Sequence, residues 1–120
     1  MKKVAVIGLG NIAIRHRHNL KLLFPEIELL AMSASGRIPK ESISDCDGFA
    51  TSIHELIQAQ VELVIVASPA PFHTRHAIPL IEAGIPTLIE KPVTTTVEDA
   101  KVINRAIELH KTPVSIGYCL

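Results

Sequence analysis

No excess of either charge marks this sequence: 12 lysines and arginines face 12 aspartates and glutamates, and the formal net charge is zero. That excludes the long-range field by which a basic domain gathers nucleic acid or anionic lipid, and neither is expected as a partner. Cysteine is scarce as well. Cys46 and Cys119 are the only two and share no metal-ligand spacing, so no disulfide framework and no metal site is expected. Unpaired thiols suit a reducing compartment. No apolar run approaches the roughly 20 residues that a bilayer span needs, and the opening MKKVAVIGLG lacks a signal peptide's long apolar stretch and cleavage site. A soluble, cytoplasmic protein is expected. There is also no repeat, low-complexity tract or internal linker, and 120 residues suffice for one domain with a proper core but not for two.

What is present is a regular alternation. KVAVIG (3–8), IELLAMS (27–33), ELVIVAS (62–68), PTLIE (86–90) and PVSIG (113–117) are near-continuous apolar runs, as strands require when both faces of their sheet are covered. DGFA (47–50) reads as a further short strand. Helical spacing fills 11–24, 52–59, about 73–83 and 97–111. Ser52 with Glu55 and Thr95 with Glu98 have the spacing of capping boxes, and Gly84 fits a helix C-cap. Seven of the eight prolines fall at or beside these boundaries. Pro79, inside HTRHAIPLIEAG, removes a helical hydrogen bond and predicts a kink or a late helix start. The whole predicts an α/β fold over 1–120, a doubly wound parallel sheet of Rossmann type with right-handed crossovers.

The first strand runs into GLGNIA (8–13). There Gly8 permits a tight turn, Gly10 lets a pyrophosphate approach the backbone, and small Ala13 lets helix and strand pack closely. The free amides of the first helical turn, at Asn11 and Ile12, favour the ligand's negative charge. The pattern alone also fits a structural glycine turn; its setting after a strand and before an amphipathic helix points to a dinucleotide. The following IRHRH (14–18) spreads around a helix and reads as a solvated face, although His16, in step with Ile12 and Leu20, can turn to the helix–sheet interface.

An NAD-specific site usually places Asp or Glu at the end of the second strand, about 20 residues beyond the glycines, to hold the ribose hydroxyls. Here that place reads MSASGR, with no carboxylate. Ser33 and Ser35 can hydrogen-bond a ribose phosphate and the planar fork of Arg37 can pair with it, so NADP is favoured, with NAD possible. Arg37 also fits a solvated loop cation in an enzyme that accepts both. At the other end of the chain, Glu90 and Lys91 close the fifth predicted strand, and Pro92 restricts the backbone of Lys91. The strand ends of an open parallel sheet are where ligands bind. Lys91 is thus placed to meet a substrate oxygen, though by composition Glu90 and Lys91 also read as a surface pair.

GLGNIA (8–13), SPAPFH (68–73), AGIPTLIEKP (83–92) and GYC (117–119) together resemble the N-terminal half of the glucose-fructose oxidoreductase, inositol dehydrogenase and rhizopine catabolism protein (Gfo/Idh/MocA) family. The resemblance covers essentially the whole chain. It implies hydride transfer between a nicotinamide dinucleotide and a carbinol carbon of a sugar, inositol or sugar nucleotide. Lys91 matches the family lysine that bonds the reacting oxygen and assists proton transfer. The backbone around Ser68, Pro69 and Glu90 matches the cofactor lining, His73 the family histidine at the next helix start, and Tyr118 or Cys119 would lie near the nicotinamide. Ala70 stands where the family often has Asn, so one side-chain contact to the cofactor is missing. Family members continue into a second, substrate-binding domain that also makes oligomer contacts; it is absent here, so a piece of a longer, homo-oligomeric dehydrogenase is expected, inactive alone. The alternative is a free-standing, non-catalytic NAD(P)-binding or redox-sensing module.

Overall fold

In the computed structural model, which describes residues 1–117, six strands form one sheet. They are β1 (Lys3–Ile7), β2 (Glu28–Met32), β3 (Gly48–Phe49), β4 (Leu63–Val66), β5 (Thr87–Glu90) and β6 (Val114–Gly117). Every adjacent pair is parallel. The strand order β3-β2-β1-β4-β5-β6 reverses direction at β1, as a doubly wound Rossmann sheet does. The helices are α1 (Asn11–Leu23), α2 (Ile53–Gln58), α3 (His73–Glu82) and α4 (Val97–His110), with a 3-10 turn at Ala70–Phe72. All five expected long strands and the short one are present, within a residue or two of their predicted ends. No helix among the described residues is long and apolar enough to cross a membrane.

The runs of β1, β4 and β5 are continuous because these strands bury both faces, whereas the edge strand β6 leaves Ser115 and Ile116 exposed. On one face Ala5, Ile7, Val64, Val66 and Ile89 pack with Leu56 of α2, Ala77, Leu80 and Ile81 of α3, and Ile103 of α4. On the other, Val4, Val6, Leu29 and Ile65 pack with Ala13 and Leu20 of α1. A buried aliphatic side chain contributes about 1.5–3 kcal/mol, so two such layers supply the main driving force. The parallel register sets the site. Ile7 pairs with Met32 and Val66, and Val66 with Ile89. One residue beyond this row, Gly8, Ser33, Ala67 and Glu90 therefore stand along a single edge.

Local signals held with three adjustments. Ser52 caps α2 by accepting from the Glu55 amide at 3.1 Å, while the Glu55 carboxylate reaches back to the Thr51 amide at 2.6 Å rather than to Ser52. The cap of α4 is Thr96, accepting from the Asp99 amide at 3.0 Å, not Thr95 with Glu98. Three consecutive threonines offer the same hydroxyl, and the extended backbone at Thr96 selects it. Helix α3 begins at His73 and continues through Pro79, so the start is not late. Gly84 follows the end of α3 at φ +77°, the left-handed conformation expected of it.

Candidate functional site

The β1–α1 corner is built by two glycines with different reasons to exist. Gly8 has φ +114°, and a Cβ there would stand 2.5 Å from the Ala67 carbonyl oxygen and 2.9 Å from the Ser68 nitrogen. It is glycine because the backbone just after β4, at Ala67 and Ser68, passes too close for any side chain. Gly10 has φ −78°, which any residue adopts, and a Cβ would meet nothing within 4 Å. Nothing in the described chain explains its missing side chain; the space lies over the start of α1. Gly10 provides no side-chain cap, and the first turn of α1 holds no acidic residue. The amides of a first helical turn have no intrahelical partner and stand at the positive end of the helix dipole, a setting suited to an anion. Ala13 is fully buried against the sheet, as its small size predicts.

A cleft of about 470 Å³ opens at this corner, lined by Gly8 to Ile12, by Ser33, Ala34, Ser35 and Arg37 after β2, and by Ala67, Ser68, Pro69 and Phe72 after β4. Among the described residues no carboxylate lines it, and Arg37 is the one cation. The second wall is a tight turn: the Gly36 amide donates to the Ser33 carbonyl at 3.1 Å and Ser33 Oγ donates to the Arg37 carbonyl at 2.8 Å. Ser33 thus shapes the loop that carries Arg37, while Ser35 and Arg37 stay exposed. Gly36, unremarked in the sequence, holds this turn: its φ is +83° and a Cβ would come within 2.2 Å of the Thr51 carbonyl oxygen.

The third wall is tied to the second by His76, which the sequence reading missed. His76 is buried; its Nε2 donates to the Ala34 carbonyl at 3.0 Å, which leaves Nδ1 to accept from Ser68 Oγ at 2.9 Å. Phe72 stacks on its ring with centroids 5.7 Å apart, and the Arg75 guanidinium lies 5.4 Å from the Phe72 centroid. Burial lowers the His76 pKa below the ordinary 6.5, the Ala34 hydrogen bond opposes this, and the charges of Arg75 and His73 add to the lowering. The unfolded chain therefore binds the proton more readily. The stabilisation from a neutral His76 is complete above the unfolded value and is lost as pH falls through 6.5 toward the lower folded value. We expect the unfolding free energy to drop more steeply between about pH 7 and pH 5 in the wild type than in His76→Gln. Equal slopes in paired denaturant titrations would contradict this.

Nine of the predicted cofactor residues, Gly8, Gly10, Asn11, Ile12, Ser33, Ser35, Arg37, Ser68 and Pro69, line this one cleft. His73, Glu90 and Lys91 do not. His73 is buried, with Nε2 at 2.7 Å from the Ser68 carbonyl oxygen and Nδ1 at 3.2 Å from that of Val93. Glu90 is buried and its carboxylate accepts from His16 Nε2. Lys91 is exposed at the tip of β5, and the Lys91–Pro92 peptide bond is cis. Because only β4 separates β1 from β5 and all three are parallel, the Gly8 corner and the Lys91 tip share one sheet edge, about 10 Å apart. Tyr118 and Cys119 lie outside the described residues.

The basic cluster on α1 is not the uniform solvated face expected of it. Arg15 and His18 are exposed, but Arg17 is buried and its Nε donates to the Ser44 carbonyl at 3.0 Å. Burial lowers the Arg17 pKa, and its buried Nη1 has no hydrogen-bond partner among the described residues. His16 does turn to the sheet, where it meets Glu90.

Residues 2–118 match the family described as oxidoreductase family, NAD-binding Rossmann fold (Gfo/Idh/MocA), and the chain belongs to it. It is 30% identical over 122 residues to an inositol 2-dehydrogenase of Agrobacterium fabrum, covering 97% of this chain and 36% of that protein. It is 28% identical over 116 residues to myo-inositol dehydrogenase Hyg17 of Streptomyces leeuwenhoekii, covering 96% and 36%. The chain thus spans about a third of the length of these relatives. Among solved structures, the scyllo-inositol dehydrogenase of Lactobacillus casei with bound NAD(H) and scyllo-inositol superposes with a TM-score of 0.80 at 22% identity, over 98% of this chain and 36% of that one. The WlbA dehydrogenase of Bordetella pertussis in complex with NADH and UDP-GlcNAcA gives 0.79 at 22%, over 98% and 37%. At those identities the likeness is one of fold.

Proposed function

We propose that the cleft holds a nicotinamide dinucleotide, NADP in preference to NAD, and that the domain serves a dehydrogenase acting on a hydroxyl or keto carbon of a polyol, sugar or sugar nucleotide. The observation that carries this reading is the space at Gly10. It is an opening that no described part of the chain uses, set over an uncapped helix N-terminus and walled by two further strand-end loops. Gly10 and the amides of Asn11 and Ile12 would take the pyrophosphate, and Ser35 and Arg37 a 2′-phosphate on the adenosine ribose. The bound cofactor supplies the hydride or accepts it. The chain's own chemical part falls to Lys91, whose ammonium holds or releases a proton at the reacting oxygen and stabilises negative charge developing there. Substrate contacts and oligomer contacts are assigned to a second domain outside these residues.

Cofactor choice rests on Arg37 and on the absence of a carboxylate from the cleft wall among the described residues. A ligand at about 100 times its dissociation constant stabilises the folded state by about 2.7 kcal/mol. At equal concentrations NADPH is therefore expected to raise the melting temperature more than NADH does, and Arg37→Gln to abolish the difference. Equal or reversed shifts in the wild type would remove the NADP preference; no shift with either nucleotide would remove the dinucleotide itself.

A further inference from the structure

The segment Glu90–Val93 is gripped at both ends, from opposite faces of the sheet. On the α1 face, His16 Nε2 donates to the buried Glu90 carboxylate. Room for that carboxylate comes from β6: a Cβ on Gly117 would stand 2.9 Å from Glu90 Oε1 and 3.0 Å from Leu88 Cδ2. On the α3 face, His73 places Nδ1 at 3.2 Å from the Val93 carbonyl oxygen and Nε2 at 2.7 Å from that of Ser68. Both acceptors belong to loops at the sheet edge rather than to a helix or strand interior. A ring that donates from both nitrogens ties the chain beyond Lys91 to the end of β4. A buried ring needs hydrogen-bond partners, and here both candidates are loop carbonyls, one after β4 at Ser68 and one after β5 at Val93.

We infer that His16 and His73 are positioning residues: they hold Lys91 by fixing the backbone before and after it, rather than by touching cofactor or substrate. The chemical purpose of this rests on the dehydrogenase reading; the mechanical claim does not. A lysine on a long flexible stem is a useful proton-handling group only if its root is held, since a displacement of 1 Å can cost on the order of a hundredfold in rate.

The two rings present different nitrogens to the tip, so amide replacements separate the roles. Glutamine reproduces a donor near the Nε2 position and asparagine one near Nδ1. At position 16, His16→Gln should keep the tip ordered and His16→Asn should loosen it; at position 73 the order reverses, His73→Asn keeping and His73→Gln loosening. Backbone order parameters of the 120-residue chain read this directly. We expect Lys91 and Val93 to fall from about 0.85 to below about 0.6 in the two loosening variants, while amides within α1 and α3 keep their values. In the full-length protein, the same two variants should lose at least about tenfold in kcat, with KM for the dinucleotide within about twofold. Their amide counterparts should restore most of the rate.

A merely structural role would not reverse its preference between the two positions. Unchanged order at Lys91 in all four variants, or equal loosening by both amides at each position, overturns the inference. If the wild-type full-length protein turns over no polyol, sugar or sugar nucleotide, the dehydrogenase reading fails, and the relaxation data then decide the positioning claim by themselves.

Discussion

Gly8→Ala is expected to destabilise the chain by about 2–6 kcal/mol, whereas Gly10→Ala, two residues away, should leave stability unchanged or slightly raised. The first change adds a left-handed backbone penalty of about 1–3 kcal/mol to a comparable overpacking term, because its Cβ would sit inside contact distance of the Ala67 carbonyl. The second meets nothing within 4 Å and has an ordinary φ, and replacing glycine there removes freedom from the unfolded chain. Denaturant titration of the two variants beside the wild type checks the contrast. Comparable losses in both would mean that the corner is a packing device throughout.

Lys91→Ala in the full-length protein is expected to lower kcat by about 10²–10⁴ while KM for the dinucleotide changes little, since Lys91 lies at the cleft's edge of the sheet but outside its wall. Lys91→Arg keeps the positive charge but gives up proton transfer, because guanidinium does not release its proton at working pH. It should recover charge stabilisation and little turnover. Near-normal turnover of the alanine variant would show that another group handles the proton.

The fold was legible because its signal is local and repeated. Runs such as ELVIVAS and KVAVIG can only be strands covered on both sides, and Asn11–Leu23, with its buried Ala13 and Leu20, was already visible as a helix. The nine residues that share the cleft follow from the same logic, since a parallel sheet brings its strand ends to one edge. What escaped was long-range. His76 contacts Ala34 across 42 positions and His16 contacts Glu90 across 74, separations at which no periodicity or cap pattern speaks. Arg17 was read as solvated because nothing in IRHRH announces that the stretch around Ser44 folds back over α1. Phe72 carried a faint signal, an aromatic at the entry to α3 in SPAPFH, and could have been set beside Pro69 as a cleft residue.

The central claim is that the opening at Gly10 receives a dinucleotide pyrophosphate. Its most direct test is a fluorescence titration of NADPH into the wild-type chain and into Gly10→Val, whose larger side chain would fill that opening while the helix still forms. The account predicts saturable binding by the wild type and at least a tenfold weaker interaction in a folded Gly10→Val, on the order of the 1.4 kcal/mol or more that such a factor represents. Equal affinity in the two proteins, or no saturable binding by the wild type, would contradict it.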